Sequence, residues 1–391
     1  MKILGIESSC DETAASVVQD GRVLLSNVIR SQIDIHAQYG GVVPEVAARS
    51  HIEVINPVIN QALADANLTW DDIDGIAVTY APGLIGSLLV GTLAARTLAI
   101  LKNKPLYPIH HVEAHVYANF LNETPPAFPM LALIVSGGHT QLVLFRDHGD
   151  YELLGQTQDD AVGEAFDKVA KIIGLPYPGG PSIAKAALDG DPTAYKLPKA
   201  QLRCTHKDVH AGMMRKATAS NERSSTNQYN EQVAELATPR IAQDVCHYYD
   251  FSFSGLKTAV LRAVQREVNV DISFPSGELS ALLSDVQRLN FAASFQRTAV
   301  ETLVDTTMRA YNAYSPKSVV IAGGVAANQE LRRILSERLP LPIAYAPIEL
   351  CTDNAAMIAT LGYYYAMRKD PVDPYKLEVI PSISMSKTAW A

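Results

Sequence analysis

Lys2-Ile3-Leu4-Gly5-Ile6-Glu7-Ser8-Ser9-Cys10-Asp11-Glu12-Thr13-Ala14-Ala15-Ser16-Val17-Val18-Gln19 is an apolar run, a polar turn and a second apolar run. The first run alternates and is rich in Ile and Leu, which predicts a strand over 2–7, and the pattern resumes as a strand over 14–19. Asp20-Gly21 is a turn signal that leads into a third strand. The arrangement returns further on. Leu131 to Val135 reads as a strand, Ser136-Gly137-Gly138-His139-Thr140 breaks it, and Gln141 to Phe145 resumes it. A strand, polar turn, strand unit used twice predicts two similar α/β domains facing each other across a cleft.

Around these units, helical periodicity covers about 45–66 and 84–101, with a strand near 75–79 and another over 106–109. Helices are predicted over about 161–174, 257–268 and 278–313. A buried strand at 318–322 ends in Gly323-Gly324 and leads to a helix from about Ala326, and a last helix spans about 354–367. Residues 196–250 are polar, poorly periodic and rich in Ser, Thr, Asn and Gln, which predicts a partly ordered insertion.

Composition sets limits. At 391 residues, 48% hydrophobic and 19% charged, the chain suits a globular protein of two domains. Glu7 arrives too early for a secretory signal peptide. The run 84–101 has the length of a membrane span, but Arg96 and several small or polar residues interrupt it, so a buried helix is expected and no membrane. Cys10, Cys204, Cys246 and Cys351 show no pairing rhythm, as expected of a cytoplasmic protein in a reducing compartment. The net charge of −8 is unevenly spread. Residues 1–100 carry eleven acids and five bases, whereas 196–225 carry seven bases against Asp208 and Glu222. That segment is either a phosphate-attracting patch or a solvated loop.

Three turns after strands, at 7–13, 136–140 and 323–328, free backbone N–H groups of the kind that bind phosphate, so a nucleotide cleft is expected. His111 and His115 stand at i, i+4 at the start of a predicted helix, where two imidazoles can share a metal. At about 100° per residue, Glu113 lies on the far side of that helix, which rules against a zinc protease. Cys204, His206 and His210 form a second run, read as solvated loop because no apolar wall orders it. Asp353 is either a helix cap or a hard oxygen ligand for the histidines' metal.

Nine segments together resemble the bacterial TsaD family: GIESSCDETAASVV (5–18), YGGVVPEVAARSH (39–51), APGLIGSLLVGTLAARTLA (81–99), HHVEAH (110–115), LIVSGGHTQLVL (133–144), GEAFDKVAKIIGLPYPGGP (163–181), DFSFSGLKTAV (250–260), IAGGVAANQELR (321–332) and CTDNAAMIA (351–359). The resemblance implies the actin-like ATPase and sugar-kinase superfold. Residues 1–108 with about 350–391 would form one domain and 109–349 the other. It implies transfer of threonylcarbamoyl from L-threonylcarbamoyl-adenylate to N6 of the adenosine beside the anticodon, in tRNAs reading codons that begin with A, with release of AMP. Carried over, His111, His115 and Asp353 would hold one divalent metal, iron(II) or zinc. Ile134, Val135, Ser136, Gly137 and Gly138 would cradle the adenylate phosphate, Asp167, Gly180 and Asn328 would surround the nucleoside, and Asp11 and Glu12 would lie near the reacting carbonyl. The family pairs through its N-terminal domain with an inactive homologue, TsaB, aided by a small ATPase, TsaE. The small-residue helix at 83–91, with Ala94, Ala95 and Ala99, is expected at that contact. Two features depart from the family pattern: the basic insertion, and a C-terminus ending ISMSKTAWA. The rival readings are a small-molecule kinase of the same superfold, which the missing glycine after Gly5 in the first turn disfavours, and a non-catalytic scaffold.

Overall fold

The computed structural model describes residues 1–200 and 248–385. The run Cys204, His206 and His210, and most of the basic segment, lie outside the described residues. The strands are β1 (Lys2–Glu7), β2 (Glu12–Gln19), β3 (Val23–Ser31), β4 (Gly75–Ala81), β5 (Leu106–His110), β6 (Met130–Val135), β7 (Thr140–Asp147), β8 (Asp150–Gln156), β9 (Ser318–Ala322) and β10 (Ile343–Tyr345). The α-helices among the described residues are α1 (Ile33–Ala37), α2 (Pro44–Asp65), α3 (Ile85–Lys102), α4 (His111–Tyr117), α5 (Val162–Ile173), α6 (Gly179–Ala187), α7 (Ser254–Glu267), α8 (Asp285–Tyr314), α9 (Gln329–Arg338) and α10 (Ala355–Ala366).

The duplication is visible in strand order. One sheet runs β3-β2-β1-β4-β5 and the other β8-β7-β6-β9-β10. In each, the first strand pairs antiparallel with the second and parallel with the fourth. This is the two-lobed architecture of the actin-like ATPase and sugar-kinase superfold. β1, β4 and β6 are buried almost throughout, as strands covered by helices on both faces must be.

The helices that follow the fifth strands bring the lobes together. α4 continues from β5 and packs against β6 and β9 of the other sheet, while α10, which follows β10, packs across β1, β2 and β4. α4 also touches α10. Residues at the start of α4 and just before α10 therefore meet between the lobes.

α3 differs from expectation. It is long and apolar enough to cross a membrane, yet it is only partly buried. Ser87, Leu88, Gly91, Thr92, Ala95 and Ala99 face inward, whereas Ile85, Leu89 and Leu93 are exposed. The small residues are spent inside the lobe. A Cβ on Gly91 would lie 2.2 Å from Ser8 Oγ, and one on Gly86 2.8 Å from Ala48 Cβ. The surface open to a partner is instead the leucine-rich one.

A candidate metal and anion site between the lobes

A cavity of about 630 Å³ lies at the junction. One wall is the turn after β1, with Ser9, Cys10, Asp11 and Glu12; the facing wall is the turn after β6, with Ser136, Gly137, Gly138 and His139. Glu164, Asp167, Tyr177 and Pro178 close one side, and Thr352 and Asp353 the floor. Pro381 and Ser382 of the C-terminal segment complete the rim. Residues 381–383 are bound in, with Gly83 N–H donating to Pro381 O at 3.1 Å and His110 Nε2 3.2 Å from Ile383 O.

His111, His115 and Asp353 come together with one ligand atom of each within 4.8 Å of the others. Asp353 is free for this because its neighbour takes the capping role: Asn354 accepts from Met357 N–H at 3.0 Å at the N-terminus of α10. Asp353 Oδ1 lies 3.6 Å from His111 Nε2 and 3.3 Å from His115 Nε2. His111 Nδ1 faces Glu7 Oε2 at 3.2 Å and Ser9 Oγ at 3.1 Å. A buried carboxylate there favours a proton on Nδ1, which leaves Nε2 to a ligand. Glu7 is fully buried and is itself held by Thr79 Oγ1 at 2.5 Å and Ser9 N–H at 2.6 Å.

These residues fit a metal. Both ring nitrogens of the buried His115 lack a partner of hydrogen-bond geometry, although Nε2 is close to Asp353. A buried orphan imidazole beside a second imidazole and a carboxylate is a donor set for a divalent ion. Burial opposes charge on His111, but the Asp353 and Glu7 carboxylates overcome it and hold the imidazole up at about 9. Burial likewise works against the Asp353 carboxylate, and the His111 and His115 charges win, holding it far below the usual range. His139, which the sequence reading passed over, also lines the cavity. Burial, then the charges on His111, His110 and His115, depress it to about 3. Glu113 points away from the site, accepting from Tyr365 Oη at 2.9 Å and Tyr151 Oη at 3.1 Å, as helix geometry required.

Asp11 and Glu12 both line the cavity. Burial, then the negative charges of Asp353 and Asp11, push the Glu12 carboxyl up to about 10, so it holds its proton at neutral pH. Burial and the Asp11 and Asp353 charges raise the thiol of Cys10 beside them well above its usual range, which keeps it protonated.

The turn after β6 is closed by Ser136 N–H donating to His139 O at 2.8 Å and His139 N–H donating to Ser136 Oγ at 3.1 Å. The N–H groups of Gly137 and Gly138 make no hydrogen bond among the described residues, and nothing lies within 4 Å of where their Cβ atoms would be. They are open to an anion. Ile134 and Val135 are wholly buried in β6, so their side chains support this turn from behind. Asp167 accepts from Gly179 N–H at 2.7 Å, and Gly180 follows on the open start of α6. Asn328 is placed elsewhere. It caps α9, bonds Gln296 at 2.9 Å and lines a second cavity of about 680 Å³ beside Lys185 and Arg297.

Of the basic residues, Lys199 is paired with Glu301 and Asp305 at 2.7 and 2.9 Å. Arg332 stacks 3.9 Å over Tyr345, and Arg333 is paired with Glu330 and Glu337.

A family model described as TsaD, tRNA N6-adenosine threonylcarbamoyltransferase, matches residues 23–212 and 210–360. A protein of Thermomicrobium roseum named tRNA N6-adenosine threonylcarbamoyltransferase is 48% identical over 381 residues, covering 94% of this chain and 93% of that protein. One of Dehalococcoides mccartyi with the same name is 46% identical over 388 residues, covering 99% and 100%. Among solved structures, component A of the (R)-2-hydroxyglutaryl-CoA dehydratase of Acidaminococcus fermentans aligns with a TM-score of 0.45 at 13% identity, over 94% of this chain and 100% of that one.

Proposed function

The chain belongs to the tRNA N6-adenosine threonylcarbamoyltransferase (TsaD) family, and from that membership we propose the following division of labour for the transfer of threonylcarbamoyl from its adenylate to N6 of an adenosine beside the tRNA anticodon. AMP is the leaving group. Among the described residues, 1–108 with about 350–385 form one lobe and those within 109–349 the other, and the adenylate lies between them.

His111, His115 and Asp353 hold a divalent metal. Two imidazoles and one carboxylate suit iron(II), with zinc the alternative. When bound, the metal supplies Lewis-acid polarisation of the mixed anhydride. The chain's own groups do the rest. The N–H groups of Gly137 and Gly138 take the phosphate, and Asp167 and Gly180 lie toward the nucleoside. Asn328 contributes there only if the two cavities join around the ligand. The exocyclic amine of adenine is a poor nucleophile, so the acids at 11 and 12 matter when its proton must leave. With Glu12 held protonated, Asp11 is the better acceptor and Glu12 a hydrogen-bond donor toward developing negative charge.

The observation that carries this reading is that His111 and Asp353 of the metal-ligand set line the same cavity as the open glycine turn. The experiment is direct. Purified chain is given L-threonylcarbamoyl-adenylate and unmodified tRNA, and AMP and modified nucleoside are measured. Stoichiometric formation of both supports the reading, whereas AMP release that is independent of tRNA contradicts it. The partners are a TsaB-type homologue seated on the exposed Ile52, Ile85, Leu89 and Leu93, and a TsaE-type ATPase. Turnover of the isolated chain is therefore expected to be weak, and addition of the homologue to raise it. The compartment is the cytoplasm, where tRNA is found.

A further inference from the structure

His51 on α2 is fully buried and lines no part of the cavity. Its ring spans the acidic turn: Nδ1 lies 2.7 Å from Thr13 Oγ1, and Nε2 lies 3.0 Å from Cys10 O. Cys10 and Thr13 are the residues immediately before and after Asp11 and Glu12. A carbonyl can only accept, so Nε2 carries the proton and Nδ1 accepts from the threonine hydroxyl. Both ring nitrogens are thus committed, and the imidazole stays neutral; burial also lowers its pKa. It has no proton to pass on. Other contacts fix the same turn, with Ser87 Oγ donating to Cys10 O at 3.1 Å, Leu84 N–H to Ser9 O at 2.8 Å and Gln32 N–H to Asp11 O at 3.0 Å. Among the described residues, only His51 ties both ends of the acidic pair at once.

We propose that His51 is a positioning residue for the transfer reaction: its neutral ring clamps residues 10 and 13 and so fixes Asp11 and Glu12 in the cavity wall. The proposal rests on the reading that these acids serve the reaction. A clamp of this kind alters the rate of the chemical step more than substrate affinity, because a displacement of about 1 Å at a reacting group costs up to roughly 100-fold while binding contacts persist. A glutamine can reproduce the donor and acceptor; leucine cannot.

The test compares His51→Leu, His51→Gln, Thr13→Val and the Leu/Val double variant in the complete transferase, with whatever partner subunits wild-type turnover requires. Metal content and thermal melting are measured on each variant. His51→Leu is expected to lower kcat roughly 10- to 100-fold, with KM for the adenylate changed less than about twofold and metal retained. His51→Gln should restore most of the rate. Thr13→Val should be slow as well, and the double variant no slower than the slower single, since both remove one interaction. A His51→Leu enzyme with kcat within about twofold of wild type, or single losses that multiply in the double variant, overturns the clamp. If His51→Leu does not fold, the Gln and Thr13→Val variants carry the comparison. Asp11→Asn and Glu12→Gln separate the two readings. If they turn over normally while His51→Leu is slow, the role given to the acids fails and the clamp stands; if they are slow while His51→Leu is not, the clamp fails.

Discussion

The turn after β1 and the turn after β6 occupy the same topological position in the two sheets, and they are built in opposite ways. In the first, Glu7 pairs with Ala14 and the intervening residues bulge inward, where their carbonyls are tied to α2, α3 and Gln32. In the second, Val135 pairs directly with Thr140, and the tip carries Gly137 and Gly138 with their N–H groups unengaged. The difference teaches how one duplicated unit acquires two chemistries. A tethered turn can hold carboxylates in a buried wall, where burial and mutual repulsion keep Glu12 protonated. A bare glycine turn presents donors to an anion at little steric cost. The metal ligands sit between them, His111 and His115 on α4 and Asp353 in the loop just before α10.

The largest effect that can break this comparison is loss of the shared centre. His111→Ala or His115→Ala should abolish stoichiometric metal binding and lower turnover more than about 100-fold, as measured by elemental analysis and tRNA modification. His206→Ala and His210→Ala should do neither. Equal metal loss from both pairs would assign the metal elsewhere.

How much of this was readable beforehand depended on range. Period-two and period-3.6 patterns marked β1, β2, β6, β7 and most of the long helices to within about three residues, because each is decided by neighbours in sequence, but α8 begins at Asp285 rather than near 278. The histidine pair was visible for the same reason. Glu7 was not, since its meaning comes from His111 and Thr79, contacts made only once β1, β4 and α4 are assembled. Its one signal was a carboxylate closing an apolar run. His139 sat in view within the glycine turn but had no spaced partner. Pro381 and Ser382 carried no motif at all. The small residues of α3 were legible as a close-packing face, but not as one used within the lobe.

A smaller effect sharpens the contrast between the turns. Each is approached by a glycine whose side chain would strike backbone: a Cβ on Gly83 would lie 2.6 Å from Ser9 O, and one on Gly163 2.6 Å from Ser136 O. Gly83→Ala and Gly163→Ala should each cost about 1–3 kcal/mol of stability and slow turnover. Gly137→Ala meets nothing, so stability should change by less than about 0.5 kcal/mol while KM for the adenylate rises. Denaturant melts with steady-state kinetics check both, and a severe folding defect in Gly137→Ala would count against an open turn.

The smallest effect concerns a histidine outside both turns. His148 stacks on Tyr364 with ring centroids 3.8 Å apart, and burial, then the Arg368 charge, lowers it to about 4. The unfolded chain binds that proton near 6.5. As pH falls from 6.5 to 4 the unfolded state is therefore favoured, and below 4 this contribution is complete. His148→Phe should flatten the stability profile in that window. Denaturation midpoints at a series of pH values would show it, and an unchanged slope would assign the acid sensitivity to other groups.

The central claim, that this cavity modifies tRNA, is tested most directly by mass spectrometry of digested tRNA from cells depleted of the protein and complemented with wild-type or His111→Ala chain. The account predicts that N6-threonylcarbamoyladenosine disappears on depletion and returns with the wild-type chain alone. An undiminished level of that nucleoside after depletion would contradict it.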